Sequence, residues 1–539
     1  MPSGLRAMLS AAGPRTLDAA GQRRALAAVC AVLFLTFLDT TIVAVTLGDV
    51  QTDLHAGVTS LQWVVNAYAL LFASLLLTGG TLGDRFGRRR LMLGGVAVFA
   101  AGSLLGALAP VTGVLIGARA VMGIGAAASE PGTLSVLRHV YPESRARARA
   151  IGVWAAVTGL ALAFGPIIGG TLVGAVGWRG VFWFNLVFAL ILIPVTSRLV
   201  PESADPDGAR LDIPGLVLGA LAIGAATFAI IEGETAGFTT SWVLALFAIA
   251  GAAAIAFVYV EAHTASPMLD VGYFKIPAFS SSLGVAFAVY FGIFSIFFFT
   301  ALYLEEVVGY SGYRAAGEFG PMAAALIAGS WLAGLWVSRR GTRLPMAVGC
   351  FVASGGILLT RHYLPAHPRF WPLAFSLAVA GLGFGIAVVP VTAAVLALVP
   401  GEHSGMAASA TNTSRELGAV FGVAVLGALV NAHLTSDLSG RLHALGIPAN
   451  FQAIVINAVE TGKIPAGGKV TGKEASYGPI VQHVIGAAYG AFHEGLGTAL
   501  LTSAILIFTA GVLSACFAGR SQPVSETPAP IPATSSSGA

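Results

Sequence analysis

Long apolar runs alternate with short polar turns from one end of the chain to the other. Fourteen such runs lie near residues 25–47, 61–83, 91–109, 113–137, 149–174, 180–199, 213–233, 242–262, 278–304, 315–337, 345–361, 372–398, 406–432 and 491–517. Roughly 20 apolar residues suffice for an α-helix to cross the hydrocarbon core of a bilayer. The pattern predicts an all-α membrane protein with about fourteen transmembrane helices. Basic residues concentrate after even-numbered runs: Arg85 to Arg90, then Arg138, Arg145, Arg147 and Arg149, then Arg339, Arg340 and Arg343. The turns after the first, third and seventh runs carry none. Lys and Arg mark cytoplasmic loops, so both chain ends are expected in the cytoplasm.

Composition sharpens this picture. The chain is 56% hydrophobic and 10% charged, which excludes an ordinary soluble domain. Its 68 glycines suit helices packed closely in lipid. A net charge of +4 gives no support for a nucleic-acid partner. Cys30, Cys350 and Cys516 are far apart, each inside an apolar run, with no metal or disulfide spacing. Arg23 and Arg24 precede the first run, but no small-residue cleavage site follows, which points to an uncleaved first helix.

The densest polar feature is the turn Gly80-Thr81-Leu82-Gly83-Asp84-Arg85-Phe86-Gly87-Arg88-Arg89-Arg90. Its glycines allow a tight reversal, and its arginines pin it to one membrane face. Asp84 lies beside arginines and near helix ends, where a carboxylate can hold a contact that breaks and reforms. A worn copy recurs at Gly334, Arg339, Gly341 and Arg343, with Ser338 in place of the acid. The two turns follow helices two and ten, an offset of eight. Two six-helix halves separated by two extra helices would produce it, with a binding site between the halves. The expected organisation is a cytoplasmic N-terminus (1–24), a first half (25–199), a linker (200–212), two inserted helices (213–262) and a second half (278–517). The second half contains an outer insertion (433–490), and a Pro- and Ser-rich tail (518–539) is expected to be disordered.

The spacing around Gly80, Asp84, Arg85, Gly87 and Arg88 resembles the loop motif of the major facilitator superfamily. Three further stretches resemble its fourteen-helix drug–proton antiporter branch. Leu38-Asp39-Thr40-Thr41-Ile42-Val43 is similar to the first-helix motif, with Ala44 and Gly48 departing from it. The fourth-helix motif matches around Arg119, with Met122 where Gln is usual. Gly159, Gly165, Pro166, Gly169 and Gly170 resemble the antiporter motif of helix five. By residue chemistry alone, that glycine-rich helix would form a tight crossing with a bend at the proline.

Ionisable groups inside spans are costly to bury and therefore functional candidates. Asp39 is read either as a proton-coupling acid or as a helix-packing one. Arg119 and Glu130 are eleven residues apart, so they share a helix face at about 16 Å separation. They suit one path at two depths. Glu130 has a second reading, as an acid near the helix end reaching Arg138 or solvent. Candidate cavity residues are Gln62, Asn66 and Tyr68 on helix two, Phe291 and Phe294 on helix nine, and Arg415 on helix thirteen. Trp178-Arg179, Phe182 and Asn185 resemble the family's turn into helix six.

Other motifs fail. Gly467 to Lys473 approaches a phosphate-binding loop, but Glu474 stands where Ser or Thr is needed. His493-Glu494 has Gly497 where a second histidine would be. Gly381 to Gly385 lies inside a membrane run. No ligand cluster supports an enzyme, and the spans are too apolar for a channel. The resemblance implies export of small hydrophobic or cationic drugs or toxic compounds across a bacterial inner membrane, driven by the proton gradient without a cofactor or nucleotide. The partners expected are a small-molecule substrate, protons and membrane lipid. The same fold also serves transporters or flippases of endogenous metabolites or lipids.

Overall fold

A computed structural model describes residues 17–518 except 57, 204–211, 265–266, 268, 305–307, 309, 311, 365–368, 401–402 and 445–478. Among the described residues, fourteen helices have twenty or more residues, and no strand occurs. They are α1 (Ala19–Ile42), α2 (Val58–Phe86), α3 (Arg88–Ala107), α4 (Thr112–Val140), α5 (Ser144–Val176), α6 (Arg179–Leu199) and α7 (Ile213–Ala236). The rest are α8 (Ser241–His263), α9 (Pro277–Leu302), α10 (Gly312–Arg340), α11 (Arg343–Tyr363), α12 (Phe370–Ala397), α13 (Ser404–Ala444) and α14 (Pro479–Phe517). Twelve of them contain stretches long and apolar enough to cross a membrane; α5 and α13 are the other two. In hydrocarbon every backbone group must be satisfied within the chain, and the helix achieves this locally.

Helix ends fall where local chemistry changes. Asp18 accepts a hydrogen bond from the Gly21 amide at 2.7 Å and so caps α1. Asp212 does the same for α7 through Gly215 at 2.9 Å, with Pro214 in the first turn. Gly87 (φ 106°) and Gly341 (φ 76°) reverse the chain after α2 and α10, in backbone conformations that side-chain-bearing residues avoid.

Hydropathy underestimated two helices. α13 continues to Ala444 and α14 begins at Pro479, well beyond the apolar runs that ended at 432 and began at 491. The α13 extension is tied to α14: Arg441 pairs with Glu494 at 2.6 Å, and with Asp437 one turn back at 3.3 Å. A helix that leaves the apolar zone can continue on polar residues, which a hydropathy window does not register. The remainder of the expected insertion, 445–478, and the tail after 518 lie outside the described residues.

Packing repeats with an offset of eight helices. In the first set, α2 and α3 pack on α4, α1 packs on α4, α5 and α6, and α3 packs on α6. In the second set, α10 and α11 pack on α12, α9 packs on α12, α13 and α14, and α11 packs on α14. The sets meet along two seams, α2 against α13 and α5 against α10. Between them, α7 lies on α2, α13 and α8. Burial follows this layout: 83% of the apolar window of α12 is buried, but only 22% of that of α8, which is peripheral. Outward-facing apolar residues such as Ile255, Trp331 and Trp371 are exposed, as a lipid-covered surface requires.

Candidate functional site

The first polar centre lies inside the first helix set. Asp39 of α1 is fully buried and forms a salt bridge with Arg119 of α4, itself 1% exposed. The Asn185 amide of α6 donates to the other Asp39 oxygen at 2.7 Å. Arg119 also donates from Nε to the Val64 carbonyl at 2.9 Å and stacks on the Tyr68 ring, 4.6 Å from its centroid. Tyr68 donates to the Thr36 carbonyl at 3.1 Å. Four helices thus close around one carboxylate. Breaking such a buried pair would strand a charge in low dielectric, at a cost of roughly 3–5 kcal/mol.

The sequence placed Asp39 and Arg119 among the candidates, with Arg119 near enough to tune a membrane carboxylate, Asp39 first and Glu130 second; the structure pairs Arg119 with Asp39. The sequence put Tyr68 in a substrate cavity, whereas the phenol is spent on this centre. Asn185 was legible only as part of the turn into α6. Its role as a ligand of Asp39 emerges from the packing of α1 on α6.

The second centre spans the α2–α13 seam on the basic face. Asp84 pairs with Arg88 at 2.7 Å and accepts the Met406 amide in the first turn of α13 at 3.1 Å. A carboxylate at a helix N-terminus satisfies an orphan donor and complements the helix dipole. On the same face, Arg138 at the end of α4 donates to the Leu396 and Val399 carbonyls at the end of α12. One acid therefore holds the start of α13 while one arginine holds the end of α12. Arg85 is exposed beside Phe86, and Gly80 lies buried within α2.

The segment after α6 clasps the turn from the other side. Glu202 accepts the Arg89 amide at 3.1 Å and lies 3.7 Å from both the Arg89 and Arg90 side chains. A methyl group on Gly87 would collide with the Glu202 carboxylate. Glu202 carried no sequence signal beyond its place in the linker.

Glu130 does not reach Arg138 or solvent. It is 1% exposed, and Arg138 is engaged on α12. The helix α4 contains Pro131 and runs on to Val140. Proline cannot donate to the carbonyl four residues back. That carbonyl, on Ala127, lies against Gly79 of α2, and the Thr133 hydroxyl donates to the Glu130 carbonyl at 2.6 Å.

The third centre is Arg415 of α13, 2% exposed. Its guanidinium lies over Trp154 of α5 at 5.1 Å and over Tyr290 of α9 at 5.3 Å. It donates to Asn412 Oδ1 at 3.2 Å and to the Thr392 hydroxyl. Trp154 donates to Thr133 at 3.1 Å, so this centre draws on both helix sets.

The α5 glycines make close crossings. Gly165 packs against Thr41 and Ile42 of α1, Gly169 against Ile42 and Val45, and Gly159 against Leu326 of α10. Pro166 and Gly170 lie on the same continuous helix. An apolar cavity opens at this crossing, lined by Thr41, Gly159, Phe294, Phe297, Phe319 and Met322 among others. Phe294 was expected there. Phe291 instead packs against Phe287, and its backbone lies against Gly422 of α13. Asn66 is half-buried on α2, and the Gln62 side chain lies outside the described residues.

At the opposite face, Asp53 accepts from the Trp178 indole at 3.0 Å and from Arg179, which also reaches the Ala109 carbonyl. Arg179 and Trp178 hold the Asp53 carboxyl below the usual carboxylate range.

These features define a polytopic helical membrane protein with buried charge between two packed helix sets. The Major Facilitator Superfamily profile matches residues 29–423, and the chain belongs to that family. It is 31% identical over 486 residues to the multidrug resistance protein Stp of Mycobacterium tuberculosis (strain CDC 1551 / Oshkosh), covering 89% of each chain. It is 35% identical over 406 residues to the methylenomycin A resistance protein of Bacillus subtilis (strain 168), covering 74% of this chain and 85% of the relative. The solved structure of the human organic anion transporter MFSD10 (TETRAN) shares the fold at a TM-score of 0.59 and 14% identity, covering 92% of this chain and 99% of that one.

Proposed function

We propose that this protein exports small hydrophobic or cationic drugs across a bacterial inner membrane in exchange for protons, by alternating access between two six-helix halves. Similarity to drug- and antibiotic-resistance proteins supports the cargo class. The observation that carries the coupling is the buried Asp39 held by Arg119 and Asn185. A buried carboxylate can be neutralised by a proton or by a nearby cation. Protonation of Asp39 would loosen its hold on Arg119, which connects α1, α2 and α4 in one step. Glu130 serves as a second buried acid in the same half.

In this mechanism Asp84 latches the cytoplasmic side, with both termini on that side, and α5 provides the sliding contact between halves. The pair α7–α8 is an insertion that rides on the α2–α13 seam. The test is drug efflux from proteoliposomes with an imposed pH gradient. Asp39→Asn should lower gradient-driven efflux by about 100-fold, because removal of a titrating group eliminates its step while equilibrium drug binding persists. Efflux by this variant at the wild-type rate would refute the coupling role.

A further inference from the structure

Two buried acids from opposite helix sets approach one arginine. Glu130 of α4 is 1% exposed, Glu416 of α13 is 9% exposed, and α4 packs on α13. A chain of contacts links the sets at this point. The Thr133 hydroxyl donates to the Glu130 carbonyl at 2.6 Å, and the Trp154 indole donates to Thr133 at 3.1 Å. The Arg415 guanidinium lies over Trp154 at 5.1 Å, and Glu416 follows Arg415 in α13. Glu130 is within electrostatic range of both Glu416 and Arg415.

The charges at this join do not cancel. Among the described residues Glu130, Glu416 and Arg415 form no salt bridge, in contrast to the closed Asp39–Arg119 pair. Glu130 Oε2 is buried without a hydrogen-bond partner. Among the described residues, the helices around the trio add two phenols, Tyr68 of α2 and Tyr290 of α9. Phenols are neutral at ordinary pH. Asp39 and Arg119 are also in range of Tyr68, but they are paired with each other. One guanidinium thus balances one of two carboxylates. Fully ionised, the trio would enclose a net negative charge in low dielectric, and a buried group avoids that by staying protonated. Two acids that interact strongly titrate as a pair and not singly.

We propose that Glu130 and Glu416 share one proton while the cytoplasmic side is closed, forming a coupling site divided between the two halves and separate from Asp39. This deepens the export reading, on which it rests for what the proton does but not for its presence. When the seams part, α4 and α13 separate and water reaches both acids. The carboxyl O–H bond breaks, the proton passes to water, and both groups are left as carboxylates. Closing the seams again requires that the excess negative charge be met, by a proton or by cationic cargo. Glu416 thereby gives the second half an acid that senses which side is open.

The experiment is infrared difference spectroscopy on the full chain in nanodiscs, reading the C=O stretch of protonated carboxyl groups at neutral pH. It needs neither cargo nor gradient. The double variant Glu130→Gln/Glu416→Gln defines the contribution of the pair. Each single variant should lose all of that contribution, because the remaining acid has Arg415 to itself and ionises. Asp39→Asn should leave it in place. Arg415→Gln acts in the opposite direction and should raise it about twofold, since both acids then keep protons. That variant tests the proposal even where an acid variant fails to fold. Loss of half the contribution in each single variant, as for two independent acids, overturns the proposal. So does an unchanged band in Arg415→Gln, or the absence of any protonated-carboxyl band in wild type. A shared proton without gradient-driven efflux in proteoliposomes would sink the export reading and leave the pair. Gradient-driven efflux without the band would do the reverse.

Discussion

The turns after α2 and α10 have the same backbone and different chemistry. Each reverses at a glycine with positive φ, Gly87 and Gly341. Each sends an arginine to the end of the helix packed beside it. Arg89 donates to the Ser197 and Val200 carbonyls at the end of α6, and Arg343 to the Ala515 carbonyl near the end of α14. The acid is where they part. Asp84 reaches across the seam to α13, whereas Ser338 turns back to the Leu335 carbonyl of its own helix at 2.8 Å. The arginine secures a half to itself, so either copy retains it. The carboxylate joins one half to the other, and a single copy of that contact suffices to make a latch.

This difference can be broken by substitution. The largest effect is expected for Asp84→Ala, which removes both the partner of Arg88 and the cap on α13. A helix cap is worth about 1 kcal/mol, so the cytoplasm-closed population should fall by roughly five- to tenfold. Spin-label distances across the cytoplasmic face would record it, with Ser338→Ala as the matched control. Equal shifts in the two variants would abolish the distinction between the turns.

A smaller effect should follow from restoring the missing acid. Glu143 precedes α5 without a side-chain cap bond, and Gly334, one turn before Ser338, packs on Ala148 and Arg149 near the start of α5. Ser338→Asp should therefore build a second latch and raise the closed population by about threefold, on the scale of a charge at a helix N-terminus. An unchanged distance distribution would show that α10 and α5 do not approach closely enough.

Both arginines should affect stability within a half. Arg343→Gln should cost about 1 kcal/mol of stability in a denaturation series, the net value of one hydrogen bond at an exposed site. Arg89→Gln should cost more, because Arg89 also meets Glu202. The smallest effect lies on the opposite face. The folded carboxyl of Asp53 titrates below its ordinary range, so its contribution to stability is present above about pH 4 and is lost as pH falls through the folded value. Arg179→Gln should flatten that acid limb of a thermal-unfolding profile. An unchanged limb would place the acid sensitivity elsewhere.

Much of this molecule follows from residue order alone. Apolar runs of bilayer length have one low-energy solution in lipid, the helix, so the long helices and their order could be read directly. The paired Gly-Arg turns revealed the eight-helix offset before any contact was known. Asp39, Arg119 and Asp84 were recognisable because charge in or beside an apolar run is costly and rarely incidental.

What the chain order could not supply was partnership. Arg119 lies eighty residues from Asp39 and Met406 more than three hundred from Asp84. No local pattern encodes contacts between helices that meet only after the bundle closes. The extensions of α13 and α14, the clasp of Glu202 and the stacking of Arg415 on Trp154 and Tyr290 belong to the same class. Burial and hydrogen-bond satisfaction depend on which faces the packed helices turn toward one another, and only the tertiary structure decides that.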